Sequence, residues 1–146
     1  MTENHKSNVE LDPSKDYFLQ DLVSIVDQNN FTSIGVILHV GGLIISGKLV
    51  SEQSYFKGIS IEMVSENLHE HLRDDFREAF QKIARAAHEL DNSEASSGPN
   101  KSLPEFIHLK DAKMYPDSKE PIPDNKGILW RGRISAVDGF SIGLLF

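Results

Sequence analysis

The apolar positions along the chain follow a helical rhythm twice and a strand rhythm twice. Tyr17, Phe18, Leu22, Ile25 and Val26 fall on one face of a helix, with Asp16, Asp21 and Asp27 elsewhere. Ser14 is the expected N-cap, Asp16 sits in the first turn, and Asn29-Asn30 stops the helix. The period then shortens. Apolar and β-branched residues flank Gly41-Gly42, a tight-turn dipeptide, so strands are expected at about 32–40 and 43–51. Gly47 inside the second strand marks a bulge or a sharp bend. From 52 to 90 the helical period returns in Ile61, Val64, Leu68, Leu72, Phe76, Phe80, Ile83, Ala87 and Leu90. This is one helix or two, with a break near Gly58 or near Asn67.

Residues 91–104 read as a loop by composition, and 105–115 as a strand with His108 and Lys110 on one face and Ile107 and Leu109 on the other. A second, proline-bearing loop covers 116–127. Two last strands, about 128–136 and 140–145, are expected to join in a hairpin at Asp138-Gly139. The fold class is therefore α+β. An N-terminal helix precedes a five-stranded, strongly bent antiparallel sheet or small barrel, with a long helical insertion between strands two and three. Residues 1–13 are expected to be a disordered tail and 14–146 one globular domain.

Composition narrows the function more than the fold. With 39% hydrophobic and 25% charged residues, the chain can bury a core without staples, and it has no cysteine to make any. The N-terminus is polar and acidic with no apolar signal core, and no apolar run approaches the roughly 20 residues of a membrane span. A cytoplasmic protein with no membrane partner is expected. The net charge of −7 is uneven: −3 over residues 1–50, −5 over 51–98 and +1 over 99–146. A duplex nucleic-acid binder draws its affinity from a basic face, and the acidic middle of this chain repels a polyanion. Nucleic acid is thus not the expected partner, although the last third leaves room for a local basic patch.

No residue set points to catalysis, a cofactor or a metal. His69 and His71 are two apart, which on a helix aims them at different sides, and His88 lies far along the same segment. His39 and His108 sit on different strands, and an enzyme would need them gathered with a carboxylate around a pocket. The glycines lack the strand, loop, helix and lysine-serine context of a phosphate loop. What remains is a pair of arginines. Arg131 and Arg133, two apart on a strand, share a face, while Trp130 and Ile134 point the other way into the core. With Lys110 and His108 they form a candidate partner surface. Alternatively they are matched to acidic positions Glu66, Glu70, Asp74 or Glu78 on the helical stretch. The apolar end strand supplies a second candidate, a self-association edge of Phe140, Ile142, Leu144 and Phe146.

Phe106-Ile107-His108-Leu109-Lys110 followed by Lys113 and Tyr115, then Trp130-Arg131-Gly132 and Val137-Asp138-Gly139-Phe140, resembles the C-terminal half of the gas vesicle accessory proteins called GvpU. The likeness continues upstream through Ile45-Ser46-Gly47 and Tyr55-Phe56 and covers most of residues 16–146. The resemblance implies a non-enzymatic, cytoplasmic accessory protein that self-assembles and assists vesicle assembly or clustering. Its partners would be further copies of itself, the vesicle shell or other accessory proteins. The sequence departs from the family by ending at Gly143-Leu144-Leu145-Phe146, where the family carries a longer polar tail. A clustering role resting on such a tail is not expected to carry over.

A second, fold-level resemblance is to Sm-like proteins. Gly41-Gly42, Gly47 and Leu49 are similar to their first motif, and Arg131-Gly132 with Ile134 to their second. It implies an Sm-like or SH3-like barrel and, as the alternative function, an RNA-binding oligomer. The base-holding part of the first motif is replaced here by Ser51-Glu52-Gln53-Ser54-Tyr55, so RNA binding does not carry over with the pattern.

Overall fold

The computed structural model describes residues 11–65, 69–92, 103–117 and 120–145. The N-terminal tail to residue 10, Glu66, Asn67, Leu68 and Phe146 lie outside them. Helix α1, Tyr17–Asp27, begins after Asp16, whose carboxylate accepts from the Leu19 N–H at 3.0 Å. The cap is therefore Asp16 and not Ser14, which instead donates to the Asp12 carboxylate just upstream. As expected, the helix ends at the asparagines: Gln28 is the C-cap, and Asn29 donates back to the Ile25 carbonyl.

Strands β1, Ile34–Val40, and β2, Leu43–Val50, form the expected hairpin. Both turn glycines have positive φ, +56° at Gly41 and +82° at Gly42, which is why glycine stands at each. Two helices follow, α2 at Glu52–Ser65 and α3 at Glu70–Asn92, so the break falls near Asn67 and not at Gly58. Gly58 lies inside α2, where a Cβ would come within 3.0 Å of Leu129. Strands β3, Phe106–Tyr115, β4, Ile128–Arg133, and β5, Gly139–Ile142, complete an antiparallel sheet in the order β4-β3-β2-β1-β5.

This sheet is open, which settles the choice between bent sheet and barrel. β4 and β5 lie at opposite edges, and neither pairs with a second strand among the described residues. It follows that Asp138-Gly139 is not a β4–β5 hairpin turn. A 3-10 turn at Ile134–Ala136 redirects the chain, and Asp138 anchors it beside the first hairpin. Its N–H donates to the His39 carbonyl at 2.8 Å and its carboxylate accepts from the Gly41 N–H at 2.9 Å.

The irregularity expected at Gly47, a bulge or a sharp bend, is present as a bulge, with the extra residue on the neighbouring strand. Ser46 and Lys48, two apart on β2, face Lys113 and Lys110, three apart on β3. The same excess on β3 appears against β4, between Leu109 and Ala112. Asp111, at φ +52°, is the residue between, and its carboxylate lies 3.7 Å from the Lys48 ammonium. Gly47 and Gly127 make room for this bulge: a Cβ on Gly127 would lie 2.3 Å from the Asp111 carbonyl carbon.

One face of the sheet holds the core. Leu19, Val23 and Val26 of α1 pack with Val36, Leu38, Ile45, Leu49, Ile107 and Leu109, all essentially excluded from solvent. Each such side chain stabilises the fold by about 1.5–3 kcal/mol relative to exposure. Trp130 packs partly buried against this cluster, its indole lying over Gly132, as its alternation with the arginines requires.

Candidate partner-binding surface

The opposite face of β3 and β4 carries the candidate residues. Alternation along β3 places Phe106, His108 and Lys110 there, and in register His108 faces Arg131 while Phe106 faces Arg133. The structure therefore brings Arg131, Arg133, Lys110 and His108 to one face, but not all to the surface. Helix α2 begins right after β2 and lays Tyr55 and Phe56 over His108, at ring-centroid distances of 4.8 and 6.0 Å. His108 is 1% exposed, so the sequence-based placement on an outer surface is corrected: it is the floor of the cluster.

The buried imidazole is a neutral acceptor. Its Nε2 accepts from the Arg131 Nε–H at 3.0 Å, which puts the imidazole proton on Nδ1, a buried atom with no hydrogen-bond partner. Burial, reinforced by the adjacent guanidinium, pushes the His108 pKa down to about 3. Burial also raises the Tyr55 phenol pKa.

Arg131 is held in place while its residue stays exposed. Its guanidinium carbon stands 3.7 Å from the Phe106 ring centroid and 5.8 Å from that of Phe56. Arg133 reaches the same Phe106 ring at 5.2 Å. Such contacts contribute about 0.5–2 kcal/mol each, depending on desolvation. Two fixed, exposed cations on one aromatic platform suit recognition of a carboxylate. Lys110 extends this face toward Lys48, its register partner on β2. Of the acidic positions weighed as matches for the arginines, Asp74 lies 3.7 Å from Arg77 and Glu78 3.6 Å from Lys82, both within α3. Phe106, Phe56 and Tyr55 are the members that sequence reasoning did not assign to the site. The period-two alternation through Phe106 and His108 was the available signal for the first.

The self-association candidates separate. Phe140 and Ile142 lie on β5, paired to Leu38 and Val36 on one side and, among the described residues, open on the other. Phe140 stacks on Phe18 of α1 at 5.7 Å, whereas Ile142 is 61% exposed. The strand ends there, short of the expected residue 145, because Gly143 at φ +139° turns the chain. Leu144 consequently leaves the edge and lies against Gly35 on the face away from α1. Leu145 is tied down beside it: its N–H donates to the Ser46 hydroxyl at 2.9 Å, and the Tyr115 hydroxyl donates to its carbonyl at 3.4 Å.

The described histidines lie apart, except for His69 and His71. His39 sits at the hairpin end of β1, opposite Ile44, while His108 lies at the far end of β3, opposite Val50. The His69 and His71 rings stack at 5.7 Å, contrary to their expected divergence, because His69 precedes the first helical residue of α3. The side chain of His88 lies outside the described residues. Among the described residues no group of three or more metal-ligating side chains forms, and no helix is long and apolar enough to cross a membrane.

These features define a small α+β protein with an open antiparallel sheet, a basic aromatic patch on one face and an edge strand, β5, paired on one side only among the described residues. Residues 16–145, nearly the whole chain, match the family model described as gas vesicle protein GvpU-like, and the chain belongs to that family. It is thus a gas vesicle-related protein, of a family not known for enzymes. No curated protein and no solved structure matches it.

Proposed function

We propose that the protein is a non-enzymatic, cytoplasmic gas vesicle accessory protein, a self-associating adaptor that assists assembly or clustering of vesicles through protein–protein contacts. Family membership supports the gas vesicle setting. The observation that carries self-association is the open β5 edge, with Ile142 largely exposed. Unpaired edges of this kind add strands from other chains unless they are blunted. β5 has no lysine or proline to blunt it. The fixed pair Arg131 and Arg133, with Lys110, is the second contact surface, for an acidic group on a shell or accessory protein.

Sedimentation velocity across a concentration series, at low and high salt, tests the reading. The native chain is expected to form oligomers or larger reversible assemblies, and Ile142→Lys to weaken them with an unchanged circular dichroism spectrum. A strict monomer at every concentration would sink self-association; an unchanged oligomer in the lysine variant would sink this use of β5. The Sm-like RNA-binding alternative predicts a salt-sensitive shift of labelled RNA that disappears when both arginines become alanine.

A further inference from the structure

We propose that α3 pairs antiparallel with α3 of a second copy, through the stripe Leu72, Phe76, Ala79 and Ile83, about a two-fold axis at the level of residues 77 and 78. The pairing rests on the self-association reading above and adds to the β5 edge a separate interface. The first observation is an amphipathic helix whose apolar stripe is left part-exposed by the described residues of its own chain. Leu72, Phe76 and Ile83 are 48, 40 and 44% exposed. Helix α2 does pack on α3, but through a different sector. Phe56 stacks on Phe80 at 5.7 Å, and the groove of about 430 Å³ between the helices is walled on the α3 side by Arg77, Phe80 and Gln81. At 100° per residue Phe80, Arg77 and Gln81 lie about 70, 130 and 170° around the helix from the centre of the Leu72–Ile83 stripe. The stripe therefore remains free to receive another helix while α2 stays seated.

The second observation selects a second copy as the occupant. Leu72, Phe76, Ala79 and Ile83 follow the alternating four and three spacing of a helix–helix seam. Run antiparallel against itself, the seam sets Leu72 against the partner's Ile83 and Phe76 against the partner's Ala79, large beside large and large beside small. The same register sets Asp75 against Lys82 of the other copy, twice, by symmetry. Both residues are exposed and flank the stripe on the side away from α2. The Lys82 ammonium has a solvent-exposed contact with Glu78 at 3.6 Å to rearrange. The apolar and the charged positions thus demand one and the same register. A parallel pairing in register would instead put the two copies of Asp75, and the two of Lys82, on opposite sides of the seam, so no aspartate would meet a lysine of the other copy.

The absence of cysteine makes a direct test simple. Leu72→Cys and Ile83→Cys chains are prepared separately, mixed and exposed to mild oxidant. A disulfide-linked dimer is expected from the mixture and from neither variant alone, since antiparallel pairing keeps two Leu72 positions about 16 Å apart along the axis. No linked dimer at concentrations where the native chain self-associates would overturn the α3 pairing and leave the β5 reading standing. Linkage of Leu72→Cys with itself would also overturn it, in favour of a parallel arrangement. A native chain that never associates would remove both interfaces together. Charge reversal gives the independent check. Asp75→Lys and Lys82→Asp are each expected to weaken the dimer by roughly tenfold or more in concentration, and the double exchange to restore it. Failure of the double exchange to restore association would overturn the register.

Discussion

α1 and α3 carry the same kind of pattern, an apolar stripe on an otherwise polar helix, and meet opposite fates. α1 sinks Leu19, Val23 and Val26 into the sheet until none is exposed, while Phe18 and Ile25, members of the face read from the sequence, turn outward at 70 and 56% exposure. α3, twice as long, keeps Leu72, Phe76 and Ile83 in contact with solvent and sets Phe80 against Phe56 of α2. The difference lies in what each stripe faces. The sheet face under α1 is a continuous apolar surface of Val36, Leu38, Ile45 and Leu49, whereas α2, the neighbour of α3, spends Tyr55 and Phe56 covering His108. Amphipathicity says that a helix face needs a cover; only the fold says whether the chain itself supplies it.

The largest expected effect comes from trimming one residue in each region. Leu109→Ala removes a fully buried side chain and is expected to cost about 2–5 kcal/mol of unfolding free energy. Leu72→Ala, at half exposure, is expected to cost about 0.5 kcal/mol or less in dilute solution. Urea titration at low protein concentration reads both. Comparable losses would mean that α3 is integral to the monomer core and that the comparison is misdrawn.

Acid sharpens the contrast at the seam between the two regions. The unfolded His108 takes up a proton near pH 6.5, the folded one only near pH 3. Between these values the unfolded chain binds more protons, so stability is full above about pH 6.5 and is lost as pH falls toward 3. The loss is on the order of a few kcal/mol for this one group. His108→Gln is expected to flatten that part of the stability profile. A slope unchanged by the substitution would mean that α2 does not keep the imidazole dry. A smaller effect probes the bulge that shapes the sheet. Gly127→Ala forces a Cβ onto the Asp111 backbone and is expected to cost about 1–3 kcal/mol, while Gly139→Ala meets nothing within 4 Å and should be close to neutral.

How legible this was follows the same division. Local signals carried far: the Gly41-Gly42 hairpin, the bulge at Gly47, the helix stop at Asn29 and the helical insertion all stand where their residue types put them. Long-range choices were not local. Asp138-Gly139 has the composition of a hairpin turn, yet Asp138 bonds His39 and Gly41, nearly a hundred residues upstream, and sends the next strand to the far edge. His108 alternates correctly with Ile107 and Leu109, but a period of two cannot say which faces will be covered, and here both are. Leu144 continues the apolar rhythm of β5 and still leaves the strand, because Gly143 turns it onto Gly35.

The smallest expected effect compares the two helix starts. Asp16 caps α1 through the Leu19 N–H, and Glu70 is the acidic residue in the first turn of α3. Asp16→Ala leaves an N–H without its acceptor and should cost about 1 kcal/mol. Glu70→Ala should cost about 0.3–1 kcal/mol of local helix stability through the lost charge at the positive end. The readout that separates them is hydrogen exchange. Because α1 is docked in the core, its loosening opens the sheet, so Asp16→Ala should speed exchange of slow amides in β1 and β2. Because α3, among the described residues, leans on the sheet mainly through α2, Glu70→Ala should speed exchange within α3 alone. Faster exchange in β1 and β2 from the Glu70 variant would show that the helical pair unfolds together with the core, and the two regions would then be one cooperative unit.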